Sequence, residues 1–330
     1  MMPFDTRQPL SIQSARTINV GRGSGGGVPV GGTLTISGTG FGERTTLFDH
    51  YDNYNDYADG TTATEIGYLG NGGQVSIVSN ESHEGSGKSL ERFYAEGGDY
   101  FPRNHLLVEP SDEIYLAFWA KWDREVNTEP VGIFKLPRGG SLPNYTGAPR
   151  FYETVRSNND GIITTRDGGI FTDSFSVNNN GPKLFHRGDW HFCEYYFRLS
   201  TPGIADGEFC AWTNGTKTIE LLDRVTRLGS QSEKKIEYFI NFFDGLDQTG
   251  NDTFLWQSEE YASGSRARVV ITDNADYDLS TKFQIQPIQS WSDSEIVAVR
   301  EVGSFASGQS AFAHVFNSLG AIVGSQQITV

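Results

Sequence analysis

Cysteine is nearly absent from this chain: Cys193 and Cys210 are the only two in 330 residues. Two thiols cannot build a disulfide framework or a four-ligand cysteine site for zinc. They fall on the two arms of one aromatic-rich hairpin, which leaves a pair of buried thiols acting as small hydrophobes, or a cross-strand disulfide. The first reading fits a reducing cytoplasm. Long hydrophobic runs are missing too, and no stretch approaches the roughly 20 apolar residues that cross a bilayer. The N-terminus, Met1-Met2-Pro3-Phe4-Asp5, has neither the basic nor the apolar region of a secretory signal. The expectation is therefore cytoplasmic synthesis with no membrane insertion. Positive charge is in deficit, with 26 Lys and Arg against 41 Asp and Glu and a net charge of -15. That balance argues against a nucleic-acid partner and is explained by solubility alone.

Helical periodicity is also scarce, whereas turn formers are plentiful: 39 glycines, with frequent Asn, Asp, Ser and Thr, accompany 13% aromatic residues. Many short strands joined by turns follow from that mixture, so the expected class is all-β. Alternating runs are expected at 74–78, 89–95, 113–122, 131–136, 150–155, 161–165, 190–199, 208–213 and 235–243. Their uneven spacing suits a two-sheet sandwich better than a propeller. A chain of this length most often makes two domains.

The most specific stretch runs from Trp190-His191 through Glu194-Tyr195-Tyr196, Thr201-Pro202-Gly203 and Asp206-Gly207 to Trp212-Thr213-Asn214-Gly215. It reads as strands joined by turn signals, the last an Asn-Gly pair. This pattern resembles the hairpin of concanavalin A-like jelly-roll domains related to polysaccharide lyases and to glycan-binding modules of phage and bacterial proteins. The resemblance implies a jelly roll spanning 47–279, opening at Leu47-Phe48-Asp49 and closing with a strand at 266–271.

A second pattern flanks the first. Gly31-Gly32-Thr33-Leu34-Thr35-Ile36-Ser37-Gly38-Thr39-Gly40-Phe41-Gly42 and the distant Ser290-Trp291-Ser292-Asp293-Ser294-Glu295-Ile296 resemble two strand signatures of IPT/TIG immunoglobulin-like domains. The resemblance implies one small sandwich split between 31–46 and 280–330, with the jelly roll inserted between its strands. Residues 1–30 form an arm with a strand at 11–20 and a glycine tract at 21–27, which a neighbouring subunit would hold.

Segment 150–156 carries the best site candidates. Period two puts Arg150, Tyr152, Thr154 and Arg156 on one strand face and Phe151 and Val155 on the other, with Glu153 an exception on the apolar side. Cations meeting carboxylates and a phenol meeting sugar hydroxyls suit a glycan groove, while an ordinary solvated face remains the alternative. Lys135 and Arg138, before Gly139-Gly140, would join the same groove, as a similar region does in the lyase relatives. If the chain is a lyase, Arg150, Tyr152, His186 and Tyr195 would neutralise a uronate carboxylate and move its protons. His191, beside Trp190, reads as structural. Glu194 would be the acid of a glycoside hydrolase, a third choice for want of a second carboxylate.

Asp49, Asp52 and Asp56 lie in an oxygen-rich loop of the kind in which such domains often hold a structural Ca2+, although solvated turns are the favoured reading. Asp273 to Asp278 is similar, and neither stretch has EF-hand spacing. The full catalytic motifs of the lyase families are absent. The leading expectation is therefore a non-enzymatic phage virion surface protein, made in the host cytoplasm and fixed by its arm and small module to other virion proteins or copies of itself. Its jelly roll would display a surface for polysaccharide. The alternatives are a lyase acting on a uronate-containing glycan and a bacterial carbohydrate-binding adhesin.

Overall fold

The computed structural model describes residues 32–45, 48–68, 76–83, 87–94, 105–123, 134–141, 149–155, 161–167, 170–177, 188–240 and 253–330. The strands in chain order are β1 (Gly32–Ser37), β2 (Asp49–Asp52), β3 (Ser76–Ser79), β4 (Ser89–Tyr94), β5 (Leu106–Ser111), β6 (Glu113–Trp122) and β7 (Phe134–Gly140). There follow β8 (Arg150–Val155), β9 (Gly161–Asp167), β10 (Ile170–Val177), β11 (His191–Arg198), β12 (Gly207–Thr213), β13 (Thr216–Arg224) and β14 (Ile236–Ile240). The last are β15 (Thr253–Ser263), β16 (Arg268–Thr272), β17 (Phe283–Gln286), β18 (Ile288–Trp291), β19 (Glu295–Arg300), β20 (Ser310–Phe316) and β21 (Ile322–Thr329). The chain is an all-β sandwich, as its composition demands.

The strands form four sheets stacked as layers. A six-stranded sheet, β10-β9-β8-β7-β14-β5, faces an eight-stranded sheet, β13-β12-β11-β6-β15-β4-β3, with β2 on β15. This pair is the jelly-roll-like sandwich. Behind the eight-stranded sheet lie the four-stranded sheet β17-β16-β20-β21 and the three-stranded sheet β1-β19-β18.

Layering explains the aromatic run at 190–199. In β11, Cys193, Tyr195 and Phe197 point at the six-stranded sheet, where Phe197 stacks on Phe151 with centroids 4.4 Å apart. Phe192 and Tyr196 point the other way, into a core shared with Val270, Phe283 and Phe316 of the four-stranded sheet. A central strand covered on both faces has no reason to alternate apolar with polar. Each such ring stabilises the fold by about 1.5–3 kcal/mol. The same alternation separates the thiols: Cys193 pairs with Thr213 and Cys210 with Tyr196, on opposite faces. Both cysteines are free and buried.

The hairpin closes as its turn residues require. Asn214 and Gly215, at φ 50° and 77°, join β12 to β13 in the left-handed conformations of a tight hairpin turn. Asp206 ties the preceding loop by accepting from the Thr201 amide and hydroxyl.

The first described strand pairs with one from the C-terminal part of the chain. β1 runs antiparallel to β19, with Leu34 opposite Ala298 and Ile36 opposite Ile296. The Trp291 indole donates to the Gly42 carbonyl (3.0 Å), and the Gly42 amide to Asp293 (2.9 Å). The strand expected to close the jelly roll is placed differently: β16 pairs with β17 and β20. Its Val269 and Ile271 fill the core between the four- and three-stranded sheets, while Val270 packs toward the eight-stranded one. Period two on a strand shared by two cores makes it look like any buried strand in sequence. The expected strand at 11–20 and the glycine tract lie outside the described residues.

Candidate functional site

Of the two faces of the six-stranded sheet, one holds Phe151 against Phe197 and so belongs to the core. Period two in β8 then places the Arg150, Tyr152 and Thr154 positions on the opposite face. The ladder extends that face across neighbouring strands. Arg138 lies opposite Tyr152, and Gly140 opposite Arg150. Lys135 and Arg138 are three residues apart and would fall on opposite faces of a regular strand. A bulge between Leu136 and Arg138 brings Lys135 opposite Thr154, and so both cationic positions onto the Tyr152 face.

By register the row through Arg150 continues over Gly140 to Tyr238, which is buried and belongs to the jelly-roll core, and to the half-exposed Leu107. His105 precedes β5 on the same side, its ring edge-on to Tyr238 at 6.0 Å. Nothing in the sequence marked His105 or Tyr238, because their proximity to Arg150 depends on β14 lying between β7 and β5. Gly139 permits the close packing beneath: a β-carbon there would sit 2.4 Å from the Phe151 ring and 3.0 Å from the Tyr238 carbonyl oxygen. Gly139→Ala is expected to cost about 1–3 kcal/mol by overpacking, read as a lowered urea midpoint. An unchanged midpoint would contradict this packing.

Other expected site residues lie elsewhere. Tyr195 is buried between the sheets, stacked on Phe118 at 5.9 Å, and leaves the catalytic set. Glu194 is fully buried on the far face of the eight-stranded sheet. It accepts from Tyr115 (2.6 Å), Arg268 (2.8 Å) and Tyr277 (2.7 Å), so it is no general acid in a cleft. His191 is buried, its Nδ1 3.3 Å from Asn214 Nδ2, in keeping with a structural role. His186 and Arg156 lie outside the described residues.

The three loop carboxylates do not converge on a cation. Asp49 is bound by Arg44 (2.8 Å) and Tyr261 (3.1 Å), and Asp52 accepts from the Tyr54 amide and the Tyr57 hydroxyl. Asp56 is exposed. Among the described residues no group of three or more His, Cys, Asp or Glu is arranged to hold a metal ion. Asp273 is likewise occupied, accepting from the Thr281 and Lys282 amides.

A second polar centre lies at the edge of the sandwich. β15 is bulged after Ser258, with Glu259 held in the left-handed region at φ 51°. The bulge sends Glu259 toward His83 (3.6 Å) and Glu260 toward His50 (3.3 Å) and Tyr68 (2.8 Å). Burial pulls the His50 pKa down, but the adjoining Glu260 carboxylate more than offsets it, and the net shift is upward from 6.5. For Glu260, burial pushes upward, and His50, Tyr68 and Gln257 outweigh it to give a net lowering from 4.5.

Stability from His50 is full below its unfolded pKa and is lost as pH rises through the raised folded value. The Glu260 share is present above the carboxylate's unfolded pKa and is lost as pH falls. Thermal midpoints of the protein should therefore decline above about pH 6.5, and His50→Gln should flatten that alkaline decline. Equal slopes for the two proteins would show that the pair does not titrate as described.

Fold and site together define a jelly-roll-like sandwich that presents cationic and phenolic positions along one sheet face. No protein-family model matches the sequence, nor does any curated protein. Several solved structures are similar in fold. The alginate lyase Aly36B aligns over 65% of this chain and 96% of its own, at 15% identity and a TM-score of 0.49. An alginate lyase from a Chlorella virus aligns over 62% of this chain and 99% of its own, at 12% identity and a TM-score of 0.46. An endo-β-1,4-glucuronan lyase from the fungus Trichoderma reesei aligns over 66% and 95%, at 14% identity and a TM-score of 0.43. These neighbours are polysaccharide lyases, and the expectation of a non-enzymatic virion surface protein is corrected: none of them is a virion surface protein.

Proposed function

We propose that this protein is a polysaccharide lyase acting on a uronate-containing glycan bound across the outer face of the six-stranded sheet. The observation that carries the reading is the cross-strand register, which gathers the Lys135, Arg138, Arg150 and Tyr152 positions onto one face of two adjoining strands, β7 and β8. Elimination needs a cation at the uronate carboxylate, to stabilise the charge that develops when the C5 proton leaves, and a group that moves protons. Arg138 and Arg150 serve the first need, with Lys135 as a further positive contact for the polymer. Tyr152 serves the second, and His105, at the end of the Arg150 row, adds an imidazole beside Tyr238. A local row of cations also explains how a chain of net charge -15 would hold an anionic polymer.

Cleavage by elimination leaves a C4–C5 double bond in the new non-reducing end, which absorbs in the ultraviolet. Incubation with alginate, glucuronan and heparin-like polymers should raise that absorbance on at least one. No product on any of them from correctly folded protein sinks the proposal. We further infer that the sandwich built from β1 and the strands β16 to β21 is the IPT/TIG-like module implied by the Gly38–Gly42 and Ser290–Asp293 signatures, whose residues meet in space. Its role is to back the eight-stranded sheet and leave the opposite side of the jelly roll open.

A further inference from the structure

The eight-stranded sheet carries a row of rings that belong to none of the described cores. Phe254 pairs with Phe93, and Trp256 with both Glu91 and Lys121, so these positions share a face of β4, β15 and β6. It is the face opposite the buried Leu90 and Arg92. Phe93 and Phe254 have ring centroids 4.8 Å apart, and Phe254 and Trp256 are nearly parallel at 5.8 Å. The Lys121 ammonium continues the row, 5.4 Å from the Trp256 ring and 6.0 Å from that of Trp190. Phe93 is 36% exposed, and Phe254, Trp256 and Trp190 are partly so. The small sandwich packs on Tyr115, Ala117 and Trp119 of the same face, and the core between them reaches Trp190 at one end of the row but not Phe93, Phe254 or Trp256.

Polar groups along the row are already fixed. The Trp256 indole donates to Glu91 (2.7 Å), and Lys121 to Glu81 (2.7 Å). Both carboxylates keep free lone pairs for further donors.

We propose that this row is a second glycan-binding site, on the side of the jelly roll away from the groove, and that it takes a neutral polysaccharide. The exposed Phe93 and the partly exposed Phe254 and Trp256 stacked beside it offer an apolar aromatic surface for the C–H faces of pyranose rings. Fixed carboxylates and an ammonium beside them answer the hydroxyls. The sign of the charge selects among glycans: two carboxylates against one ammonium, on a chain of net charge -15, repel a polyanion. The charges set among the rings disfavour a protein partner, since the buried centre of a protein interface is depleted of charged residues. The site goes beyond the groove reading and stands or falls separately from it. Its use would be to keep the protein on a composite matrix in which a neutral polymer accompanies the uronate one.

Electrophoresis through gels containing hydroxyethyl cellulose, galactomannan or alginate tests this. At least one neutral polymer should retard the wild-type protein, and Trp256→Ala should weaken that retardation about two- to tenfold. Trp256→Phe, which keeps a ring and guards against misfolding, should retain part of it, and Arg150→Ala should behave as wild type. Trp256→Ala should also leave the rate of uronate polymer cleavage unchanged. Absence of retardation by both neutral polymers overturns the site, as does equal retardation of wild type and Trp256→Ala. Self-association of the wild type that Trp256→Ala abolishes in sedimentation would assign the row to a second copy instead. Failure of cleavage with retardation intact would remove the groove reading and leave this one standing.

Discussion

Glu194→Ala should destabilise the protein by about 3–5 kcal/mol, the largest effect expected of any single substitution in it. Glu194 is the sole described acceptor joining the Arg268 guanidinium to the Tyr115 and Tyr277 hydroxyls, and all four residues are buried. Burial alone would lower the Arg268 pKa. The surrounding Tyr115, Glu194 and Tyr277 more than offset this, and it lies well above its ordinary value. Removing the carboxylate leaves two buried phenols without their acceptor and a buried charged guanidinium without its carboxylate partner, holding only the Arg266 carbonyl (3.2 Å) among its described acceptors.

The rings of Phe316 (3.7 Å) and Tyr115 (4.5 Å) below the guanidinium supply part of its environment but accept no hydrogen bond comparable to a carboxylate's. Because Glu194 belongs to β11 and Arg268 to β16, the loss falls on the joint between the jelly roll and the small sandwich. Urea unfolding of Glu194→Gln, which keeps an oxygen acceptor, should give an intermediate loss. The double substitution Glu194→Gln with Arg268→Met should recover stability relative to Glu194→Gln alone, since it removes the orphaned charge. A Glu194→Ala midpoint equal to wild type would mean that this pair does not join the two layers.

Replacing Arg150 with Ala should lower kcat/KM on the cleaved uronate polymer about 10²–10³-fold, the cost of removing one preorganised stabiliser of developing negative charge. Arg150 holds this place by register: it is opposite Gly140, beyond which come Tyr238 and His105, and two residues from Tyr152. Arg150→Lys should restore part of the rate, keeping the charge but losing the planar fork. Tyr152→Phe should lower kcat with little change in KM, which separates proton transfer from polymer binding. Wild-type rates in both Arg150→Ala and Tyr152→Phe would move the chemistry off this face. Thermal midpoints should stay near wild type in both, because Phe151, not its neighbours, fills the core.

Much of the fold was legible in the residues themselves. Glycine, Asn and Asp punctuate runs such as Glu113–Trp122 and Arg150–Val155, whose bounds coincide with β6 and β8. Local chemistry sets those ends. Asn214-Gly215 likewise fixes a hairpin through backbone angles that few other residues accept. Period two, a purely local property, separated Arg150 and Tyr152 from Phe151. β13 and β15 went unseen, since their mixed burial and the bulge at Glu259 break the alternation that would reveal them.

Sequence by itself determined the all-β class, the hairpin around Asn214, and the face of β8 that bears Arg150 and Tyr152, because each depends on contacts within a few residues. Tertiary structure decided the rest. Tyr195 and Glu194 are neighbours in sequence, yet one lies between the sheets and the other in a buried ion pair behind them, since a central strand has two interiors. Pairings between strands distant in sequence brought His105 and Tyr238 to the Arg150 row and put β16 in the small sandwich. A bulge of one residue set Lys135 and Arg138 on a common face. Such outcomes depend on which strands become neighbours, and no periodicity within a single strand encodes that choice.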